Sequence, residues 1–154
     1  MRFVFLALTA IAMAHPSWGS EKAIQEAYGK ASEAVGLKFV AGLLSIRDLG
    51  FEAYNAQGQR IDTSLEPTRY ELMFKSALSV QLKTQVLKFE RLGPDRYRCA
   101  VQHDLIMTKV DPKGGKPIKV VLQTRSQDDW VRRPRGWRQS VIRTQQQDYV
   151  EAKP

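Results

Sequence analysis

Side chains in the second half of the chain alternate between apolar and polar residues with a period of two. The alternation begins after Ala77 and continues to about residue 149, with turn-forming segments at 93–95, 111–115 and 133–136. Because a strand places successive side chains on opposite faces, this pattern predicts four long strands joined as an antiparallel meander. A meander with one apolar face needs a second layer to cover that face, and the rest of the chain must supply it.

The first half of the chain has the helical periodicity expected of that second layer. Apolar residues recur at three- and four-residue steps over 21–35, which predicts an amphipathic helix with Ser20 as its N-cap and Gly36 at its end. A short second helix is predicted over 37–45 and a third near 64–77. Helices followed by a meander indicate fold class α+β, with N-terminal helices packed on a mainly antiparallel sheet of four to six strands.

Two signals compete for the start of the third helix. The segment Thr63-Ser64-Leu65-Glu66 has the spacing of a capping box, whereas Pro67 fits best at the first helical position. We therefore expect the helix to begin between residues 63 and 67. Before it, a short strand is predicted at 51–54, followed by a turn at 55–58.

The N-terminus has the pattern of a secretion signal. A single positive charge, Arg2, precedes an apolar run that ends at Ala14, and small residues at its end predict cleavage after Ala14 or, as a weaker site, after Gly19. A membrane anchor is the alternative, but a bilayer span needs about 20 apolar residues and this run is shorter. We expect an exported protein, periplasmic or secreted, with no transmembrane anchor after processing and a folded domain over 21–150.

The chain is basic, with 24 Lys and Arg residues against 16 Asp and Glu residues and a formal net charge of +8. Such a charge can attract nucleic acid, anionic headgroups or acidic polymers, or it can simply keep a protein soluble. Export argues against nucleic acid as the partner. Basic residues between positions 83 and 116 are interleaved with apolar ones, as expected on the solvent-facing side of strands.

The last predicted hairpin carries a family resemblance. Its sequence, Trp130-Val131-Arg132-Arg133-Pro134-Arg135-Gly136-Trp137-Arg138, resembles the terminal hairpin of nuclear transport factor 2-like domains. That group includes polyketide cyclase-like and ketosteroid isomerase-like proteins. The order of the predicted elements over about 21–149 is also similar to that of the family.

The resemblance implies a strongly curved sheet that folds around the helices into a cone, with an apolar pocket between the two layers. Catalytic members of the family place an Asp, His or Tyr in that pocket, but none of their catalytic signatures lies residue by residue on this chain. The fold is shared by enzymes, ligand binders and interaction modules. The chain most resembles exported members of unknown function.

His103 is the strongest candidate for a functional side chain. It shares a predicted strand face with Val101, Leu105 and Met107, so it should point into the core or the pocket. An imidazole there can exchange protons near neutral pH. The alternative is a buried histidine satisfied by one hydrogen bond. Asp104 follows directly but lies on the opposite face, so the two residues cannot form a dyad.

Any partner of His103 must come from another element. The candidate ligand-binding or catalytic partners are Tyr28, Tyr54, Tyr70 and Arg125. Trp130 and Trp137 bracket the last hairpin, where core packing is the favoured role and ligand stacking by Trp137 is the alternative.

Other reactive groups offer weaker candidates. Cys99, the single cysteine, excludes an intrachain disulfide, and it lies four positions, or about 13 Å, along the strand from His103, too far for a direct hydrogen bond. We expect a small apolar filler rather than a nucleophile. The turn arginines Arg132, Arg133 and Arg135 could bind an anion, although exposed hairpin turns often collect charge. With His103 and Cys99 as the only soft ligands in the predicted domain, no zinc site can be completed, and we expect no metal and no cofactor.

Three functions remain open. The first is a non-catalytic domain that binds a small ligand or a protein partner, and the second is an isomerase, dehydratase or cyclase that uses His103 and a pocket tyrosine. The third is a basic adaptor that binds anionic envelope polymers through the hairpin arginines. A homodimer is compatible with each of them.

Overall fold

The computed structural model describes residues 17–111 and 114–152. Its helices are α1 (Ser17–Gly36), α2 (Val40–Leu44) and α3 (Glu66–Ser76), with a 3-10 turn at Thr63–Leu65. Its strands are β1 (Arg47–Tyr54), β2 (Arg60–Ile61), β3 (Ala77–Gly93), β4 (Arg96–Lys109), β5 (Ile118–Arg133) and β6 (Gly136–Ala152). The predicted signal at 1–14 and its cleavage after Ala14 lie outside the described residues.

The strands form one sheet in the order β2-β1-β6-β5-β4-β3. Strands β3 to β6 pair antiparallel with their neighbours in sequence, which confirms the predicted meander. Strand β1 lies on the other side of β6 and runs parallel to it, while β2 pairs antiparallel with β1. Helices followed by this curved, unclosed and mainly antiparallel sheet confirm the α+β class.

Strand β1 is longer than the sequence predicts, and its parallel pairing is not predicted at all. The predicted strand covers 51–54, whereas β1 begins at Arg47. Gly50 has a φ of +82°, and the register with β6 shifts between Arg47 and Glu52. A glycine at positive φ within an irregular pairing hides the first half of the strand from a period-two pattern.

The core lies between α1 and the inner face of the sheet. Helix α1 contributes Ile24, Ala31 and Val35, which are 0%, 3% and 2% exposed. Strand β4 contributes its predicted inward face, on which Cys99 and Val101 are almost completely buried. This burial confirms the amphipathic pattern of α1 and the alternation of β4.

Both tryptophans of the last hairpin are buried. Trp130 makes an edge-to-face contact with Tyr28 at 4.9 Å between ring centroids, and Trp137 makes a similar contact with Tyr97 at 5.4 Å. Edge-to-face pairs of this kind add to the stabilisation that burial provides. The two rings hold the β5–β6 hairpin to the core.

Two predictions for the first helices are wrong. The chain is already helical at Ser17, so Ser20 lies inside α1 and is not its N-cap. The second helix covers Val40–Leu44 instead of 37–45, because Lys38 takes a φ of +55° and turns the chain between the helices. Apolar content alone does not reveal such a turn. No helix in the described ranges is both long and apolar enough to cross a membrane.

The third helix begins within the predicted range but not through the predicted capping box. The side chain of Asp62 accepts a hydrogen bond from the Ser64 backbone and starts the 3-10 turn. Helix α3 follows with Leu65 at its N-cap, without a side-chain cap, and with Pro67 in its first turn. Pro67 therefore prevails as the start signal, because its fixed φ suits the first turn.

Candidate functional site

A cavity of about 320 Å³ lies between the helices and the inner face of the sheet. Helices α1 and α3 and the α2–β1 segment form one side, and β3 to β6 form the other. Most of its wall is apolar and includes Leu43, Met73, Leu82, Leu105, Leu122 and Ile142. A cavity at this position agrees with the pocket that the family resemblance implies.

A completely buried carboxylate, Asp128, lies next to this cavity without lining it. Its Oδ2 accepts hydrogen bonds from Tyr28 Oη at 2.6 Å and Gln139 Nε2 at 2.7 Å, and its Oδ1 accepts one from Ser126 Oγ at 2.7 Å. Trp130 Nε1 donates to Tyr28 Oη at 2.9 Å. We call these five residues the Asp128 cluster. Three donors satisfy the buried carboxylate, as buried charge requires.

Tyr28 is held as a neutral donor inside the Asp128 cluster. Burial, reinforced by the negative charge of Asp128, raises the pKa of Tyr28 well above its usual value. Its hydroxyl donates to Asp128 and accepts from Trp130, so its hydrogen and one lone pair are already engaged. A phenol in this arrangement orients its neighbours but has no proton free for a ligand.

His103 lines the cavity beside the Asp128 cluster, and its side chain is 20% exposed. Its Nδ1 lies 3.0 Å from Thr84 Oγ1, while its Nε2 lies 3.7 Å from Asp128 Oδ2. The first distance is a hydrogen bond and the second is too long for one. Nε2 is therefore the less committed nitrogen of a ring that points inward, as strand alternation predicts.

Arg47 is the only Lys or Arg in the cavity wall that the described residues form. Its Cζ lies 3.8 Å from the ring centroid of Phe51, and its Nη2 lies 3.7 Å from Glu66 Oε1. Its Nε and Nη1 are buried without a hydrogen-bond partner in the described part of the chain. Burial raises the pKa of neighbouring Tyr70, and the positive charge of Arg47 offsets part of that rise.

The structure brings three of the predicted site residues to the cavity, and they are His103, Tyr28 and Tyr70. The other predicted residues lie elsewhere. Trp137 packs on Tyr97 in the core, and Tyr54 donates to Glu52 Oε2 at 2.8 Å. Arg125 lies in a small polar depression with Gln102, away from the cavity wall.

The remaining sequence candidates are a thiol and three turn arginines. Cys99 is buried, and burial raises the pKa of its thiol, which favours the neutral filler over a thiolate nucleophile. Arg132 and Arg135 are exposed, whereas Arg133 makes a two-point ion pair with Asp48 at 2.6 and 2.9 Å. Across 17–111 and 114–152, no three His, Cys, Asp or Glu side chains are grouped to hold a metal ion.

Four residues of the site are missing from the sequence prediction, namely Arg47, Ser126, Asp128 and Gln139. A signal for two of them exists. Ser126 and Asp128 precede Trp130 by four and two positions, so strand alternation places them on the face of that buried ring. Arg47 has no comparable signal, because the irregularity at Gly50 interrupts its strand.

No protein-family model matches the chain, and no curated protein matches it in sequence. Solved structures do resemble it. A scytalone dehydratase-like protein of Novosphingobium aromaticivorans has a TM-score of 0.67 and 10% identity, with 89% of this chain and 91% of that one covered. A hexachlorocyclohexane dehydrochlorinase of Novosphingobium barchaimii has a TM-score of 0.61 and 14% identity, covering 88% and 92%.

A third similar structure is a domain of unknown function with a cystatin-like fold from Nostoc punctiforme. Its TM-score is 0.58 at 11% identity, with 82% of this chain and 76% of that chain covered. These likenesses establish that the chain has the nuclear transport factor 2-like fold, also called cystatin-like. The fold predicted from the terminal hairpin is confirmed.

Proposed function

We propose that the domain binds a small, largely apolar molecule in the cavity between the helices and the sheet. One observation carries this proposal: about 320 Å³ of space remains within an otherwise packed interior. Protein interiors pack closely, so a cavity of this size between two layers of a small domain is more space than ordinary packing leaves. A mainly apolar wall with a few polar groups is typical of small-molecule sites.

The hydrogen bonding of the polar groups favours binding over catalysis. Asp128 accepts three hydrogen bonds and Tyr28 has its hydroxyl engaged twice. His103 Nδ1 is bonded to Thr84. A general base needs a nitrogen or oxygen that can reach a proton of the ligand, and of Asp128, Tyr28 and His103 it is His103 Nε2 that is left for that role.

Narrowing the cavity tests the proposal directly. Leu122 lines the cavity on β5 and is half-buried, so Leu122→Trp should occupy part of the space without disrupting a fully packed site. Leu87→Trp is the matched control, because Leu87 on β3 is 52% exposed and does not line the cavity. A panel of small apolar acids, ketones and alcohols is screened by ligand-induced shifts in Tm.

We expect several of these compounds to raise the Tm of the wild type and of Leu87→Trp, because a ligand that binds only the folded state stabilises it. Leu122→Trp should lose most of that response. An equal response in both tryptophan variants would place binding outside the cavity. No response from any compound would contradict the proposal.

A second candidate is an isomerase, dehydratase or cyclase activity, and the geometry around His103 favours it specifically. Its ring lines the cavity and its Nε2 lies 3.7 Å from Asp128 Oδ2, so a ligand proton taken up by the imidazole would leave a cation close to a buried carboxylate. Two of the similar structures are described as a scytalone dehydratase-like protein and a dehydrochlorinase. Turnover of a panel compound that His103→Gln abolishes, without loss of binding, would establish this function.

We also propose that the protein is exported, on the strength of the apolar run that ends at Ala14. The mature chain is then expected to begin at His15 or, if the second site is cut, at Ser20. The second cut would remove residues from within α1. Intact-mass measurement on protein from the exported fraction checks this, and a mass that retains residues 1–14 would contradict it.

A further inference from the structure

We propose that the ligand of the cavity carries a carboxylate and that Arg47 recognises it. The inference rests on the proposed binding function and specifies the chemical class of its ligand. Nothing in the sequence pattern selects Arg47. The argument comes from its position, from its unsatisfied hydrogen-bonding groups and from the charge of the cavity wall.

Arg47 separates two spaces. On one side it lines the main cavity, and on the other it lines a shallow depression together with Glu66. It is paired in register with Gln139 of β6, which also lines the main cavity. Its backbone is therefore fixed by the sheet, while its guanidinium pairs with the carboxylate of Glu66 through Nη2.

The guanidinium lacks the partners that a buried cation normally has. Nε and Nη1 are enclosed and make no hydrogen bond to a described residue. Nη2 lies 3.7 Å from Glu66 Oε1, which is an ion pair but not a hydrogen bond. The Phe51 ring supplies a cation–π contact on one face. The Tyr70 hydroxyl also interacts with the guanidinium. The N–H groups of Nε and Nη1 nevertheless remain without a partner among the described residues, which is costly at a side chain that is only 13% exposed.

The described cavity wall carries a positive charge at Arg47 and no carboxylate, although Glu66 outside the wall partly offsets that charge. Asp128 is the nearby buried carboxylate, but it does not line the cavity and already accepts three hydrogen bonds. Glu66 pairs with Arg47 but does not line the cavity. Among the described lining residues, Arg47 is thus the single permanent charge, set in an apolar wall.

A carboxylate fits this arrangement better than a neutral group. The planar guanidinium can donate two parallel hydrogen bonds to the two oxygens of one carboxylate. Because Nε and Nη1 are enclosed, we expect the carboxylate to meet Arg47 first at the Nη2 side, where it competes with Glu66. The apolar remainder of the ligand would then lie along the aliphatic wall.

If Glu66 competes with the ligand for Arg47, two substitutions should change the affinity for a carboxylate in opposite directions: removal of Arg47 should lower it and removal of the Glu66 charge should raise it. The probes are 3-phenylpropionate and the nearly isosteric 3-phenylpropionamide, with binding measured calorimetrically at pH 7. The variants are Arg47→Met, Glu66→Gln and the control Arg135→Met, which removes the same charge from an exposed position. All four proteins are compared after their folding is verified.

We expect the wild type and Arg135→Met to bind the carboxylate about tenfold or more tightly than the amide, as a charged hydrogen-bonded pair predicts. Arg47→Met should reduce the affinity for the carboxylate to that for the amide. Glu66→Gln should increase carboxylate affinity by about threefold or more, because the competing anion is gone. If Arg47→Met does not fold, the carboxylate affinity of Glu66→Gln tests the role of Arg47 instead.

Equal affinities of the wild type for both probes, or no change in Arg47→Met and Glu66→Gln, would overturn the role of Arg47 while the binding function stands. If neither probe binds the wild type, nor does any compound of the apolar panel, the binding function itself fails. The two failures are therefore distinguishable.

Discussion

Two buried charges, Asp128 and Arg47, lie beside the same cavity in opposite conditions. Asp128 accepts three hydrogen bonds at 2.6 to 2.7 Å from neutral donors. Arg47 has two enclosed nitrogens without partners and one ion-pair contact at 3.7 Å. A carboxylate that makes all its hydrogen bonds holds the fold together, whereas a guanidinium that lacks some of its hydrogen bonds beside a cavity gains from an added anion. On this basis we assign Asp128 a structural role and Arg47 a role in ligand recognition.

Removal of Asp128 should have the largest effect on stability. Asp128→Ala leaves the donors of Tyr28, Gln139 and Ser126 unpaired in the interior, and we expect a loss of about 3 to 5 kcal/mol in the free energy of unfolding. Urea denaturation measures it. Asp148→Ala, at an exposed position on β6, is the control and should change stability by less than about 0.5 kcal/mol. A loss below about 1 kcal/mol in Asp128→Ala would mean that the cluster is not structural.

Trp137→Ala should reduce the free energy of unfolding by nearly as much as Asp128→Ala, although Trp137 is not part of the Asp128 cluster. Trp137 is 7% exposed and packs on Tyr97, so its removal leaves a large apolar void and should cost about 3 to 5 kcal/mol. The urea midpoint is compared with that of Leu49→Ala, since Leu49 is 99% exposed. Equal midpoints in the two variants would contradict the anchoring role of the hairpin.

Acidification should cause a smaller loss in the free energy of unfolding. This loss arises at Asp129, which pairs with Arg98 and Arg143 instead of joining the Asp128 cluster. Burial raises the pKa of Asp129, but hydrogen bonds from Arg98 and Arg143 outweigh it, and the net pKa is lower than usual. A lowered pKa in the folded state stabilises the protein above about pH 4 and loses that contribution as the pH falls further. Asp129→Asn should therefore show a flatter decline in stability below about pH 4. An unchanged decline would exclude Asp129 as a source of acid sensitivity.

Arg47→Met should have the smallest effect on stability, and it sharpens the comparison with Asp128 most. Methionine can pack on Phe51 while it removes the unsatisfied donors. Glu66 loses its ion-pair partner but remains partly exposed in the first turn of α3, where a negative charge is favourable, so we expect a loss of less than about 1 kcal/mol. Thermal unfolding without ligand measures it. A loss comparable to that of Asp128→Ala would mean that Arg47 supports the fold, and the contrast between the two charges would disappear.

The sequence predicts the fold more fully than the site, for a physical reason. Alternation over β3 to β6 reports which face each side chain occupies, so the inward direction of His103 follows from its apolar neighbours on β4. The same rule, applied from the buried Trp130, would have placed Asp128 inward. A carboxylate is not expected in a core until its donors are known. Tyr28, one of the three donors of Asp128, comes from α1, 100 residues away in sequence.

Arg47 could not be predicted in this way. Its strand pairs parallel with β6, a contact between distant segments that no local pattern encodes, and Gly50 at positive φ interrupts the alternation around it. The loose ion pair with Glu66 depends on how α3 is placed against β1. Tertiary geometry alone brings the guanidinium to the cavity.

The central claim, that a small molecule enters this cavity, is tested most directly by the NMR signals of His103. Its ring lines the cavity, so a bound molecule changes the environment of the imidazole. We predict that 3-phenylpropionate shifts the His103 signals saturably in the wild type and that Leu122→Trp abolishes the shift. His103 signals that stay fixed across the titration, while the compound binds elsewhere or not at all, would contradict the account.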